Sequence, residues 1–382
     1  MFIVKIKENK EQPILAGHPW IFAGAVDKVD SHSDKYICRV LDSTGRFVCQ
    51  GFYNPYSQIA VRVITLGREN IDKKLFAARI EKAISFRRRI IPVTTNCYRI
   101  INSEGDRLPG LVADRYGDVI VVQFLCMAMD KFRDDIIDIF KSHYPGYTIH
   151  ERSDAKSRKA EGLDMQSGPI SGTLPEEDLE VLEEGSRIFI DVKTGDRTGF
   201  YLEYRPIRAL LRSISKGKSV LDLFSYTGGF SLSASLAGAS TVTSVDNSIS
   251  AQSILKRNME ANSISSFVWH HQREDVSAFL SRESSQYDIV ICDPPPFSRL
   301  EDYNSIFSQA MKRVKPGGMM FALTSYSPRF GIYELMKAIS RAEGSCGLSA
   351  RITGKLSQGP DYPYLPSHPE GEHVHGLIVN IE

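Results

Sequence analysis

The chain has 382 residues, 42% of them hydrophobic and 24% charged, with a formal net charge of +1. That length exceeds one average domain, so two or three are expected, in a protein of ordinary globular composition. The near-zero charge excludes a globally basic nucleic-acid binder, so any basic surface must be local. No run approaches the roughly 18 apolar residues of a membrane span.

The cysteines, Cys38, Cys49, Cys97, Cys126, Cys292 and Cys346, are scattered and form no C-x-x-C pair. A zinc ribbon, a redox motif or any other metal site is therefore not expected. They read as reduced, buried residues of a cytoplasmic protein. Residues 1–7 alternate like a strand and lack the apolar core of a signal peptide.

In chain order, residues 1–72 read as short strands, for example 36–41 and 59–64, punctuated by Ser43-Thr44-Gly45 and Asn54-Pro55. That spacing predicts a small β-barrel. Residues 71–91 have helical spacing, with Leu75, Ile80, Ala83, Ile84 and Ile90 apolar, and close on Arg87, Arg88 and Arg89. Cations suit a helix C-terminus, and the same triplet is a candidate phosphate contact. The block 73–190 mixes strands near 98–101, 119–124, 148–151 and 188–192 with a helix over 129–143. It reads as a small central α+β domain. From 191 to 382, strands near 219–222, 241–246, 287–292 and 319–324 alternate with helices near 229–238, 248–262, 302–314 and 332–342. Such alternation predicts an α/β fold with a parallel, Rossmann-like sheet.

The chemistry concentrates in this last part. The apolar strand that carries Asp222 runs into the turn Phe224-Ser225-Tyr226-Thr227-Gly228-Gly229 and then into a helix. An α/β sheet binds nucleotide-like ligands at such a turn, and glycine lets backbone approach a ligand closely. Eighteen residues after Gly228 stands Asp246, followed by Asn247 and Ser248, where a ribose hydroxyl is usually held. A dinucleotide site would show G-x-G-x-x-G, and no third glycine arrives in place. Asp222 would also set a negative charge near a pyrophosphate. S-adenosylmethionine carries a sulfonium and no phosphate, so it is the better match than NAD.

Asp275, with Val276 after it, can accept from an adenine amino group or cap the next helix. An apolar strand delivers Asp293, Pro294, Pro295, Pro296 and Phe297 to the sheet edge. Proline fixes φ and removes a donor, so this is a rigid acceptor wall facing substrate. Cys292, within that strand, reads as packing rather than nucleophile. Arg197 or Arg205 can clamp a cofactor carboxylate as a bidentate pair, or else belongs to a loop packed on the sheet edge.

These residues resemble a known family nearly end to end. The chain is similar to the large-subunit ribosomal RNA methyltransferase I family of class I S-adenosylmethionine-dependent enzymes. The likeness rests on His18-Pro19-Trp20-Ile21-Phe22-Ala23-Gly24, Gly51-Phe52-Tyr53-Asn54-Pro55, Glu104-Gly105-Asp106-Arg107-Leu108-Pro109-Gly110, Glu151-Arg152-Ser153-Asp154, Thr198-Gly199-Phe200-Tyr201-Leu202, the Phe224–Phe230 stretch, Ser244-Val245-Asp246, Asp361-Tyr362-Pro363 and His368-Pro369-Glu370-Gly371. The resemblance implies a PUA-type RNA-binding barrel, a central domain and a Rossmann-like methyltransferase domain. It implies S-adenosylmethionine as cofactor and 23S ribosomal RNA, or a large-subunit precursor, as substrate, and it leaves room for a homodimer. Asp246 would hold the ribose, Asp275 the adenine, the turn from Ser225 to Gly229 the methionine end, and Asp293, Pro294 and Phe297 the target base. Arg87, Arg88, Arg89 and Arg152 would contact RNA, with Tyr326, Phe297 or Tyr226 stacking on the flipped base.

One departure bears on the reaction. Relatives that methylate cytosine C5 are expected to carry Ser-Cys-Ser after the fifth strand, and this chain reads Thr324-Ser325-Tyr326-Ser327. C5 becomes nucleophilic only after a thiolate adds at C6. A ring nitrogen such as guanine N7 needs only alignment and is the preferred acceptor here, ahead of C5 and of an exocyclic amine. The alternatives are an RNA-binding protein that has lost catalysis and a methyltransferase for a small molecule or protein.

Overall fold

The protein, as a computed structural model, is described over residues 1–30, 36–325 and 330–382. Backbone contacts gather these into two units, one of Met1–Glu184, Asp191–Phe200 and Pro360–Gly371, the other of Gly185–Ile190, Tyr201–Gly359 and Glu372–Glu382. Residues 191–200 and 360–371, read from the sequence as parts of the last domain, thus pack within the first unit.

The first unit begins with β1 (Phe2–Ile6), helix α1 (Gln12–Leu15), β2 (Trp20–Phe22), β3 (Val26–Val29), β4 (Ile37–Leu41), β5 (Phe47–Tyr53) and β6 (Ile59–Thr65). They form one mixed sheet in the order β2-β6-β5-β4-β1-β3, with only β1 and β4 parallel among its described pairs. Alternate residues such as Val4, Ile6, Cys38, Val40 and Val61 fill its core. Helix α2 (Lys73–Ile90) follows, capped by Asp72, whose Oδ1 accepts from Lys74 N at 3.0 Å and Leu75 N at 3.1 Å.

Next come β7 (Cys97–Asn102), β8 (Leu111–Tyr116), β9 (Val119–Phe124), α3 (Met127–Lys131), α4 (Arg133–His143), β10 (Thr148–Ser153), α5 (Ser157–Ala160), β11 (Gln166–Ser171) and β12 (Leu179–Glu183). The single helix expected over 129–143 is two, meeting at Phe132, whose φ of −96° and ψ of 11° interrupt the helical geometry. Strands β7 to β11 make a five-stranded sheet, covered by α2 and α4 through Phe76, Ile80, Ala83, Ile84, Ile136 and Phe140.

The second unit contains β13 (Ser186–Ile190), α6 (Arg205–Ile214), β14 (Ser219–Leu223), α7 (Gly229–Leu236), β15 (Thr241–Val245), α8 (Ile249–Ala261), β16 (Trp269–Gln272), α9 (Val276–Arg282), β17 (Tyr287–Cys292), α10 (Leu300–Met311), β18 (Val314–Ser325), α11 (Ile332–Cys346), β19 (Ala350–Leu356) and β20 (Val374–Ile381). Its sheet order is β16-β15-β14-β17-β18-β20-β19. The first five strands are parallel, as the alternation predicted. The last two are not: β20 runs antiparallel to both β18 and β19.

Both faces of this sheet are covered, so its strands read as continuous apolar runs. Leu221, Leu223, Val290 and Cys292 pack beneath α9, α10 and α11. Val220, Val242, Ile289 and Ile291 pack with Ile207, Leu211 and Phe230 of α6 and α7. The order reverses between β14 and β17, and the crevice outside their carboxyl ends is where such sheets bind ligands.

Candidate active site

The turn after β14 is conformationally unusual. Phe224 (φ 61°), Tyr226 (φ 46°) and Gly228 (φ 79°) all lie in the left-handed region. Two of them carry side chains, a backbone arrangement that costs of order 1–3 kcal/mol per residue and gathers at ligand sites. Hydrogen bonds to β15 and to the residues after it hold the turn in place. Ser225 N donates to Val245 O at 3.1 Å. Tyr226 N donates to Asp246 Oδ2 at 2.8 Å, and Asn258 Nδ2 donates to Thr227 O at 2.9 Å. Asp246 Oδ1 also accepts from Ser248 N at 2.8 Å, and Ser248 in turn caps α8 through Ala251 N at 3.2 Å.

Gly228 has a packing reason of its own. A Cβ at this position would stand 2.8 Å from Leu255 Cγ. The missing side chain admits a leucine of α8.

Asp222 shares the face of Val220 and meets α7. Its Oδ2 accepts from Ser231 N at 2.9 Å and Ser231 Oγ at 2.6 Å. Burial, helped by the nearby Asp246 carboxylate, pushes its pKa up to about 7 against the pull of both Ser231 bonds. Asp222 Oδ1 and Ser225 Oγ are buried and have no hydrogen-bond partner. Unsatisfied polar atoms of this kind call for an explanation, and a ligand supplying an ammonium or hydroxyl at the strand end gives one. The donor set therefore fits S-adenosylmethionine: carboxylates at Asp222 and Asp246, a hydroxyl at Ser225, and no basic group in the turn to favour a phosphate.

The other expected residues fall in three places. Asp275, with Val276 buried behind it, caps α9: its Oδ1 accepts from Ala278 N at 3.0 Å. The capping role is thus realised, and the side chain remains exposed at the same carboxyl edge. Asp293 follows β17, where its Oδ1 accepts from Tyr204 Oη at 2.9 Å. Pro294 is buried, Pro295 and Pro296 are exposed, and Phe297 is half-buried. Phe297 is fixed by Tyr303, whose Oη accepts from its N at 3.1 Å and whose ring stands edge-on at 5.0 Å. Arg205 opens α6 and is buried, while Arg208 Nη1 donates to Tyr201 O at 2.9 Å.

Arg197 lies in the first unit. Tyr326 lies outside the described residues.

Two RNA-contact expectations are corrected. Arg87 is fully buried: its guanidinium forms a bidentate pair with Asp106, with Nη2 to Oδ2 at 2.8 Å, and donates to Arg99 O at 3.0 Å and Asp361 O at 2.7 Å. Arg152 is buried too, donating to Asp154 Oδ2 at 2.8 Å, Val192 O at 3.2 Å and Gly195 O at 3.1 Å. Both arginines neutralise interior acceptors, so neither faces a solvent-side phosphate. Arg88 and Arg89 are exposed.

Sequence reasoning missed Ser231, Asn258 and Tyr204. The first two are short polar residues on otherwise apolar helix faces, which is a usable signal. Tyr204 carries none, because its partner is 89 residues away.

Cys292 is buried, and burial followed by the Asp293 charge pushes its thiol well above the usual range. No group of metal-ligating side chains occurs among the described residues, and none of their helices is long and apolar enough to cross a membrane.

Comparison with known proteins gives the family. Residues 4–66 match a PUA-like domain, and residues 162–368 match the S-adenosylmethionine-dependent methyltransferase model. The ribosomal RNA large subunit methyltransferase I of Shewanella amazonensis is 33% identical, covering 99% of each chain. That of Erwinia tasmaniensis is 32% identical over 98% of each. Among solved structures, SMU.776, assigned as a methyltransferase and complexed with SAH, superposes with a TM-score of 0.89 at 21% identity over 100% of both chains, which shows the fold. The chain belongs to the S-adenosylmethionine-dependent methyltransferases, in the ribosomal RNA large subunit methyltransferase I family.

Proposed function

We propose that this enzyme methylates a base of 23S ribosomal RNA at a ring nitrogen, such as guanine N7. The substrate class is supported by relatives named for that activity over 99% of their length. The choice of atom rests on the thiols. Cys292 immediately precedes Asp293 in the chain, and it is buried in the packing beneath α9 to α11 with its pKa raised. A thiolate is needed for C5 chemistry, and this thiol is neither exposed nor ionised.

Ser225, Tyr226, Asp246 and Asp275 would hold the cofactor, with Asp222 beneath them. Bound there, S-adenosylmethionine supplies a methyl group on a positively charged sulfur, which a nitrogen lone pair accepts without prior activation. Asp293 accepts a hydrogen bond from the imino or amino edge of the flipped base and sets its orientation. The prolines after it keep that wall rigid, and Phe297 offers a ring braced by Tyr303. Alignment of this kind contributes roughly 7–11 kcal/mol to a well-oriented reaction, which is what an uncharged nitrogen acceptor requires. The PUA-like domain and the exposed Arg88 and Arg89 are the backbone-gripping elements, since RNA is held through shape and phosphate contacts.

The test is mass-spectrometric mapping of 23S nucleosides from cells with and without the gene. Loss of one ring-nitrogen methyl, restored by the wild-type chain, is the expected result. Loss of 5-methylcytidine alone overturns the choice of atom, and no change in any nucleoside overturns the substrate.

A further inference from the structure

Tyr204 closes the turn before α6 and is 2% exposed. Its ring is wedged between two others: Tyr201 stacks at 5.7 Å with an interplanar angle of 5°, and Phe230 packs at 5.5 Å and 34°. Tyr204 shares one buried cluster with Ile207, Leu211 and Ile291. A ring so enclosed cannot swing, so its hydroxyl is presented at one fixed point. That point is Asp293 Oδ1, 2.9 Å away. The column continues from Tyr201 to Tyr226 in the cofactor turn, edge-on at 5.5 Å and 77°.

We propose that Tyr204 is a positioning residue for methyl transfer, fixing the Asp293 carboxylate so that its second oxygen meets the acceptor base in one orientation. This rests on Asp293 as the base-facing group. The terminal torsion of an aspartate is broad and soft, so a carboxylate at the end of a strand turns unless something holds it. A phenol donating to an ionised carboxylate is a short, charge-assisted bond and holds it well. Because Tyr204 acts through Asp293, its loss should show in the rate and not in cofactor affinity.

The experiment compares wild type, Tyr204→Phe, Asp293→Asn and the double variant. Single-turnover transfer is read from tritiated S-adenosylmethionine to a 23S RNA transcript, with enzyme in excess so that slow rates stay measurable. Tyr204→Phe keeps the stacked ring and removes only the hydroxyl. The expected rate loss is about tenfold, the effect of one hydrogen bond to a charged group. SAH affinity by calorimetry should not move, and the substitution should have no further effect on the rate in the Asp293→Asn background. A wild-type rate in Tyr204→Phe, a loss that appears as weaker SAH binding, or an equal loss on top of Asp293→Asn each overturns the proposal alone. A wild type inactive on both the transcript and a large-subunit precursor overturns the RNA assignment and the proposal with it.

Discussion

Asp222 takes both of its described hydrogen bonds from one residue, Ser231, whose backbone N–H and hydroxyl meet Oδ2 at 2.9 and 2.6 Å. The strand end and the first turn of α7 are thereby joined through one buried carboxyl. Its proton has a consequence for stability. The unfolded carboxyl releases its proton near the ordinary value of 3.8, the folded one near 7. Between those values the native state binds more protons than the unfolded chain, so stability falls as pH rises through that window and levels off above it. Thermal midpoints of wild type and Asp222→Asn between pH 5 and 8 check this: the decline should be steeper in wild type, and parallel curves would refute the assignment.

The arginine triplet at the end of α2 should split by burial. Removing Arg87 strands Asp106 and two buried carbonyls. Arg87→Ala should destabilise by about 3–5 kcal/mol in urea unfolding, the usual cost of breaking a buried pair. The double variant Arg88→Ala, Arg89→Ala should leave unfolding unchanged and lower the salt slope of RNA binding by about 1–2.

Gly228→Ala meets two obstacles, a left-handed φ of 79° and Leu255 Cγ at 2.8 Å. A loss of about 1–3 kcal/mol is expected. Leu255→Ala removes the clash but not the backbone cost, so the two changes should be non-additive in a double-mutant cycle, the pair losing less than the sum.

Asp246→Ala removes the acceptor for both Tyr226 N and Ser248 N. SAH affinity measured by calorimetry should weaken about 10–100-fold, the range for lost bonds to a charged group. Unchanged affinity would place the cofactor elsewhere.

Cys292→Ala should keep methyl transfer to 23S RNA within about twofold, since a buried, protonated thiol is not a nucleophile. Abolished activity together with a retained fold would return C5 chemistry to consideration.

Local spacing determined a good deal of this protein. The apolar runs around 220, 242 and 289 set the parallel strands, and the acids that close them mark the carboxyl edge of the sheet. Even the burial of Arg87 was legible: Phe76, Ile80, Ala83, Ile84 and Arg87 fall at helical spacing on one stripe, so the triplet's first arginine continues the buried face. Spacing cannot state partners that lie far along the chain. That Tyr204 holds Asp293, that Leu255 fills the space beside Gly228, and that β20 returns antiparallel follow from sheet order and helix docking, which depend on packing among residues tens to hundreds of positions apart. A strand's own sequence fixes which side chains share a face. Which other element covers that face is decided only when the whole sheet has assembled, because burial is a property of the neighbours and not of the segment.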